Sequence, residues 1–127
     1  MRLSNKVLKR RFDKFNERYF GGELVEPKFV KTGSRWIAGM FNCDVFVVTE
    51  EDGERYASSL NDIKIRLSKH LIKNSRIFDN ILLHEMIHYY GYLMNEDIEG
   101  SHGKFFKKMA RKINKDGYNV QKYYKED

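Results

Sequence analysis

The feature that most limits how this chain can fold is the stretch of residues 78–94, which is apolar on nearly every side of a helix. A helix without a polar face belongs at the centre of a domain, and this one is shorter than the ~20 residues a membrane span requires. Its few polar side chains are therefore carried into the interior, and three of them form the pattern His84-Glu85-Met86-Ile87-His88. Four residues advance an α-helix by about 400°, so His84 and His88 lie one turn apart on one face and can coordinate a single metal ion. Glu85 is turned about 100° from His84, off the ligand line, where it can serve as base to a water at such an ion. The competing reading has two core histidines satisfied by backbone or carboxylate hydrogen bonds. It accounts for the imidazoles but not for a glutamate in that slot.

The rest of the chain must wall in this helix. Ser4 can cap a helix over residues 5–20, in which Leu8, Phe12, Phe15 and Tyr19 recur at helical spacing and which Gly21-Gly22 stop. Clusters of β-branched and aromatic residues then predict strands over 28–32, 36–41, 45–49 and 62–67, with Pro27 at the entry to the first. In the last of these Ile63, Ile65 and Leu67 alternate with polar residues, the mark of a sheet with one buried face. The acidic Glu50-Glu51-Asp52-Gly53-Glu54 reads as an exposed loop. Ser101 can cap a third helix over 101–115 that stops near Gly117 and turns His102, Phe106, Met109 and Ile113 inward. Residues 118–127 form a tail that either packs or frays. The expectation is a single α+β domain over residues 1–127, with three main helices packed on a small, mostly antiparallel sheet.

Composition narrows the possible functions. The lone Cys43 excludes an intrachain disulfide and any zinc knuckle of paired Cys-x-x-Cys type. Arg2, Lys6, Lys9, Arg10 and Arg11 interrupt any apolar leader, so a soluble, cytoplasmic monomer without membrane attachment is expected. With 24 Lys+Arg against 18 Asp+Glu and a pI near 9.4, an acidic partner is suggested, nucleic acid being the commonest. The charge is clustered. Residues 1–20 carry Arg2, Lys6, Lys9, Arg10, Arg11, Lys14 and Arg18 against Asp13 and Glu17, and residues 101–116 carry Lys104, Lys107, Lys108, Arg111, Lys112 and Lys115 against Asp116. On the third helix these cations lie opposite the inward stripe, forming either a phosphate-binding ridge or an ordinary solvated face.

A catalytic zinc takes three protein ligands and keeps one position open. Met94 stands where the pattern His-Glu-x-x-His-x-x-Gly-x-x-His places its last histidine, so that pattern fails although Gly91 matches it. Glu96 and Glu99 follow His88 too closely for a glutamate on a second helix, and Cys43 lacks the glycine-flanked setting of a deformylase-type cysteine. His102, heading the inward stripe of the third helix, is the strongest candidate, and His70 is expected to be exposed. Asp79, Glu96, Asp97 and Glu99 can each serve as the outer partner of a ligating imidazole. Tyr89, Tyr90 and Tyr92 are expected to pack in the core rather than assist an oxyanion.

Several motifs stand in order along the chain. They are Phe15-Asn16 with Tyr19-Phe20-Gly21-Gly22-Glu23-Leu24, then Ala38-Gly39, then Ile63-Lys64-Ile65-Arg66-Leu67-Ser68, then Leu82-Leu83 with the histidine motif, and His102-Gly103-Lys104-Phe105-Phe106. Over residues 12–119 the chain thereby resembles the SprT-like metalloprotease domain of the SprT and Spartan proteins. The resemblance implies a zincin-like core, one Zn2+ bound by His84, His88 and His102, and Glu85 as general base. It also implies proteolysis of proteins attached or crosslinked to DNA. Many relatives carry a cysteine-rich zinc ribbon after this domain, and a single cysteine cannot form one. Any hold on DNA is then expected to fall to Lys104, Lys107, Lys108, Arg111, Lys112 and Lys115, with Arg10 and Arg11 on the first helix. Two other classes stand beside this reading: a DNA-binding module with a structural zinc, and a zinc protease indifferent to DNA.

Overall fold

A computed structural model of the chain describes residues 2–96 and 102–122. The first helix, α1, spans Asn5–Tyr19, and the Ser4 side chain caps it by accepting a 3.3 Å hydrogen bond from the Val7 N–H. Its inward stripe of Leu8, Phe12, Phe15 and Tyr19 is buried, as the spacing predicts. Past its end Gly21 and Gly22 adopt φ values of 60° and 70°, and Asn16 locks this turn by donating to the Leu24 carbonyl (2.8 Å) and accepting from the Leu24 N–H (3.0 Å).

Three strands follow: β1 at Lys28–Thr32, β2 at Gly39–Thr49 and β3 at Arg55–Ser68, in the order β1-β3-β2. β2 and β3 form the longer, antiparallel ladder, while β1 runs parallel to β3, so the sheet is mixed. The two strands expected at 36–41 and 45–49 are one. The polar Asn42-Cys43-Asp44 looks like a turn in sequence, but the strand runs through it, and a register shift there takes up the irregularity. Opposite lies Asp62, whose φ of 53° occupies the left-handed region a bulge often requires. Trp36 and Ile37 precede the strand because Ser34 Oγ accepts from both of their N–H groups, at 3.2 and 2.9 Å, and folds them into a loop. β3 starts earlier than its alternating segment suggests, because Arg55–Asn61 pairs with the second half of β2 across the acidic turn at 50–54.

The sheet has one buried face. Phe29, Ile65 and Phe41 stand side by side in the register of the three strands and point to the same side. There Phe12 of α1 meets Phe29 edge-on at 5.8 Å. The second helix, α2, spans Ser75–Leu93 with Asn74 as its cap, and its Tyr89 and Tyr92 stack on Phe41 at 5.4 and 5.7 Å. Every residue of α2 from Phe78 to Tyr89 is buried, which agrees with its lack of a polar face. Each fully buried Leu, Ile or Phe of this set contributes roughly 1.5–3 kcal/mol of transfer free energy. No described helix is long and apolar enough to cross a membrane.

The third helix, α3, spans Lys104–Asn114 and buries Phe106, Met109, Ala110 and Ile113. It begins later than residue 101: Gly103 is the cap, without a side-chain hydrogen bond, and His102 precedes the helix rather than heading it. Ser101 lies outside the described residues. After α3, Gly117 turns the chain with a φ of 100°, and the tail packs through Val120, while residues 123–127 lie outside the described residues. Tyr118 meets Phe15 at 5.6 Å, and Val120 is buried.

The ends of α1 and α3 are joined by Tyr19, whose hydroxyl donates to Asp116 Oδ2 at 2.6 Å, with Arg18 at 3.2 Å from the same oxygen. The phenol hydrogen bond, aided by Arg18, holds the Asp116 carboxyl below the usual carboxylate range. A carboxyl whose folded pKa is depressed adds stability above its unfolded pKa and loses it as pH falls through the folded value. The melting temperature of Asp116→Asn should therefore lie below that of the parent chain at pH 7, and the gap should narrow as pH falls to 3. Thermal melts at the two pH values check this.

Candidate metal centre

His84 and His88 sit one turn apart on α2, and both are buried. His102 reaches them from the turn before α3, with its backbone held at a φ of 76°. For a residue other than glycine this left-handed conformation costs roughly 1–2 kcal/mol. The surrounding packing keeps it there and aims the ring at the other two. The three Nε2 atoms form a nearly equilateral triangle with edges of 3.2, 3.1 and 3.2 Å. The ring centroids are 4.9, 4.7 and 5.1 Å apart, so the Nε2 corners point inward and the rings splay outward.

This triangle fits a tetrahedral ion. A zinc ion about 2.0–2.1 Å from each nitrogen requires edges of ~3.3–3.4 Å, within a few tenths of those observed. Among the described residues, His84, His88 and His102 form the group able to hold a metal ion. The Phe106 ring floors the cluster, with centroid distances of 4.8, 5.3 and 4.9 Å to the three imidazoles. An apolar floor excludes water from that side and confines the imidazoles to one arrangement.

The protonation of His84 is set from outside the triangle. Its Nδ1 lies 2.6 Å from the Gln121 carbonyl oxygen, which can only accept, so Nδ1 bears the proton and the Nε2 lone pair faces His88 and His102. Burial, with the neighbouring His88 next in weight, lowers the His84 pKa to about 4. The imidazole is neutral at pH 7, the state a metal ligand needs.

Glu85 is 6% exposed, and burial raises its carboxyl to about 8 against the opposing effect of a backbone hydrogen bond from Phe41. A dication held by the adjacent imidazoles would favour the carboxylate again. The sheet makes room for this side chain at Gly39. A Cβ added there would stand 2.8 Å from Glu85 Oε2 and 2.7 Å from Ile81 Cγ2. The first residue of β2 must therefore be glycine for Glu85 to keep its place.

The other sequence candidates separate cleanly. His70 is exposed, as expected, and Met94 is half exposed. Cys43 is half-buried, its thiol raised to about 11 by burial, and it does not belong to the histidine group. Tyr89 packs in the core and donates to the Val25 carbonyl at 2.9 Å, while Tyr90 packs on Phe20 and Phe105. Of the expected outer partners, Asp79 instead takes Arg11 at 3.1 and 3.3 Å, Glu96 is exposed, and Asp97 and Glu99 lie outside the described residues. A backbone carbonyl of the tail fills the role, and no side-chain pattern announces one. Gly39 and Phe106 are present in the motifs, but their tasks beside Glu85 and beneath the histidines emerge only from the fold.

The basic residues also divide. Lys104, Lys107, Lys108, Arg111, Lys112 and Lys115 are all exposed along α3, opposite its buried stripe. On α1 Arg10 is exposed, whereas Arg11 is engaged with Asp79, Arg18 with Asp116, and Lys9 with Asp13 and Glu26.

Two measurements check the geometry. His102→Ala should weaken binding of one Zn2+ or Co2+ by more than about a hundredfold, beyond what the loss of an outer partner costs. Chelator competition measures it, and an undiminished affinity would remove His102 from the ligand set. Gly39→Ala should destabilise the fold by roughly 1–3 kcal/mol through overpacking against Ile81 and Glu85, read from urea denaturation.

No curated protein matches the chain. The model of the SprT-like family matches it over residues 8–125, nearly its whole length. The chain belongs to the SprT-like family, which points to an enzyme of the metalloprotease type.

Proposed function

We propose that the protein is a zinc-dependent metalloendopeptidase that cleaves proteins bound or crosslinked to DNA. The observation that carries the catalytic part is the inward triangle of His84, His88 and His102 with Glu85 buried one residue from the first ligand. Family membership supports a zinc-dependent, protease-like function. A zinc ion at the triangle would supply Lewis-acid polarisation of a peptide carbonyl and a lowered pKa for water.

The chain's own residues supply the rest. His84, His88 and His102 hold the ion, and the Gln121 carbonyl and the Phe106 ring fix the orientation of the imidazoles. Glu85 in its carboxylate form takes the proton from the attacking water and returns it to the departing amine nitrogen, so that the C–N bond breaks with protons balanced. Its closed surroundings favour this shuttle, because a buried carboxylate has few competing partners.

The DNA part rests on α3. Its five exposed cations, with Lys115 just past its end, lie on the helix that follows directly from His102, and no ion pair joins any of them to a described carboxylate. A phosphate backbone on this ridge would bring a DNA-attached protein close to the metal centre.

Cleavage of a histone or casein substrate by the parent chain, Glu85→Gln and Lys107→Glu/Lys108→Glu separates the readings. Glu85→Gln should keep its zinc and lose roughly 10²–10⁴-fold in rate. DNA should accelerate the parent chain, and raising salt from about 50 to 200 mM, or reversing charge at Lys107 and Lys108, should suppress that acceleration. Equal rates with and without DNA would favour a general zinc protease. Zinc and DNA binding without any cleavage would favour a structural zinc.

A further inference from the structure

We propose that the C-terminal segment 118–122 is a working part of the metal centre: the Gln121 carbonyl orients His84 for metal, and Asn80 and Asn114 are positioning residues that hold this carbonyl in place. The inference rests on the metal-binding reading above and concerns how the chain prepares for the ion. Of the two neutral tautomers of an imidazole, only the one protonated at Nδ1 offers Nε2 as a ligand. At His84 that choice is made by the Gln121 carbonyl at 2.6 Å, 37 residues away in sequence.

A carbonyl in an irregular segment needs anchoring to make that choice, and two amides provide it. Asn114, the last residue of α3, accepts from the Val120 N–H at 2.7 Å and donates to the Val120 carbonyl at 3.0 Å. Asn80 Oδ1 accepts from the Asn119 N–H at 2.9 Å. Asn80 is buried and sits on α2 one turn before His84, so the same helix carries the ligand and an anchor for the group that orients it. Val120, the residue that Asn114 holds, is itself buried, which fixes the segment just before the contact. Three backbone groups of an otherwise irregular stretch are thus pinned by side chains immediately before the residue whose carbonyl reaches the imidazole.

Asn80 and Asn114 touch neither the ion nor a substrate in this scheme, so the test reads tautomer and affinity. In the metal-free chain, long-range 1H–15N correlation spectra should show His84 protonated at Nδ1. In Asn80→Ala/Asn114→Ala the Nε2-protonated form should appear. The double variant should bind Zn2+ and Co2+ 10–100-fold more weakly in chelator competition, the range expected for losing an outer partner. Asn119→Ala, which keeps the backbone N–H that Asn80 accepts, should bind like the parent chain. An Nε2-protonated His84 in the parent chain would overturn the proposal even where the double variant fails to fold. So would parent-like affinity in a folded double variant. A parent chain that binds neither ion would sink the metal reading itself, and this inference with it.

Discussion

Everything in this structure depends on enclosing α2. A helix with no polar face needs a wall on each side, and its four buried ionisable residues, Asp79, His84, Glu85 and His88, need something from these walls. The sheet covers one side and brings Gly39 and the Phe41 N–H to Glu85. The α3 side contributes Phe106 beneath the imidazoles and, in the turn before it, His102. α1 brings Arg11 to Asp79, whose carboxyl is pushed up by burial against the pull of that guanidinium. The tail closes the remaining side with a carbonyl for His84. Hydrophobic enclosure and assembly of the site are one process here, because each element that buries α2 also carries a group that one of its polar residues requires.

That dependence explains which parts were legible in the sequence. Local signals were sound wherever one element decides its own form: the Ser4 cap, the stripe of α1, the β1 boundaries and the histidines at one-turn spacing all follow from short-range geometry. The errors arose where two elements decide together. Asn42-Cys43-Asp44 reads as a turn until its pairing with β3 supplies a bulge, and Arg55–Asn61 lacks strand alternation because it belongs to a hairpin arm in which Arg55, Tyr56, Ser59 and Asn61 are all exposed. His102 was the right residue for the triangle on the wrong footing. Its inward aim comes from a left-handed turn before Gly103, not from the stripe of α3 that its spacing to Phe106 suggests. The Gln121 carbonyl had no side-chain signature at all.

The charge pattern was sharpened in the same way. By composition the first and third helices look equally basic. In the fold, α1 spends much of its charge on structure, since Arg11 and Arg18 face carboxylates from α2 and from the end of α3, and Lys9 faces Asp13 and Glu26. The exposed pairs among these are worth little individually, but they reduce the positive potential α1 presents to solvent. The cations of α3 stay at the surface, on a helix whose position is set by the stripe that floors the histidine cluster. A ligand held by that ridge would be held at a fixed distance from the site, as a tethered basic tail could not do.

The balance of protonation inside α2 would give an ion at the three imidazoles a role in the fold. Burial makes His84 neutral and Glu85 reluctant to ionise, so the interior without an ion carries little charge at pH 7. An ion taking the three Nε2 lone pairs puts a charge where none existed, and the nearby Glu85 carboxylate is the group best placed to balance it. Ion and carboxylate therefore favour each other's charged form. Coordination would also offset the local strain of roughly 1–2 kcal/mol at His102, which the apolar packing alone must otherwise hold. An ion at the triangle would thus brace the turn from which α3 begins.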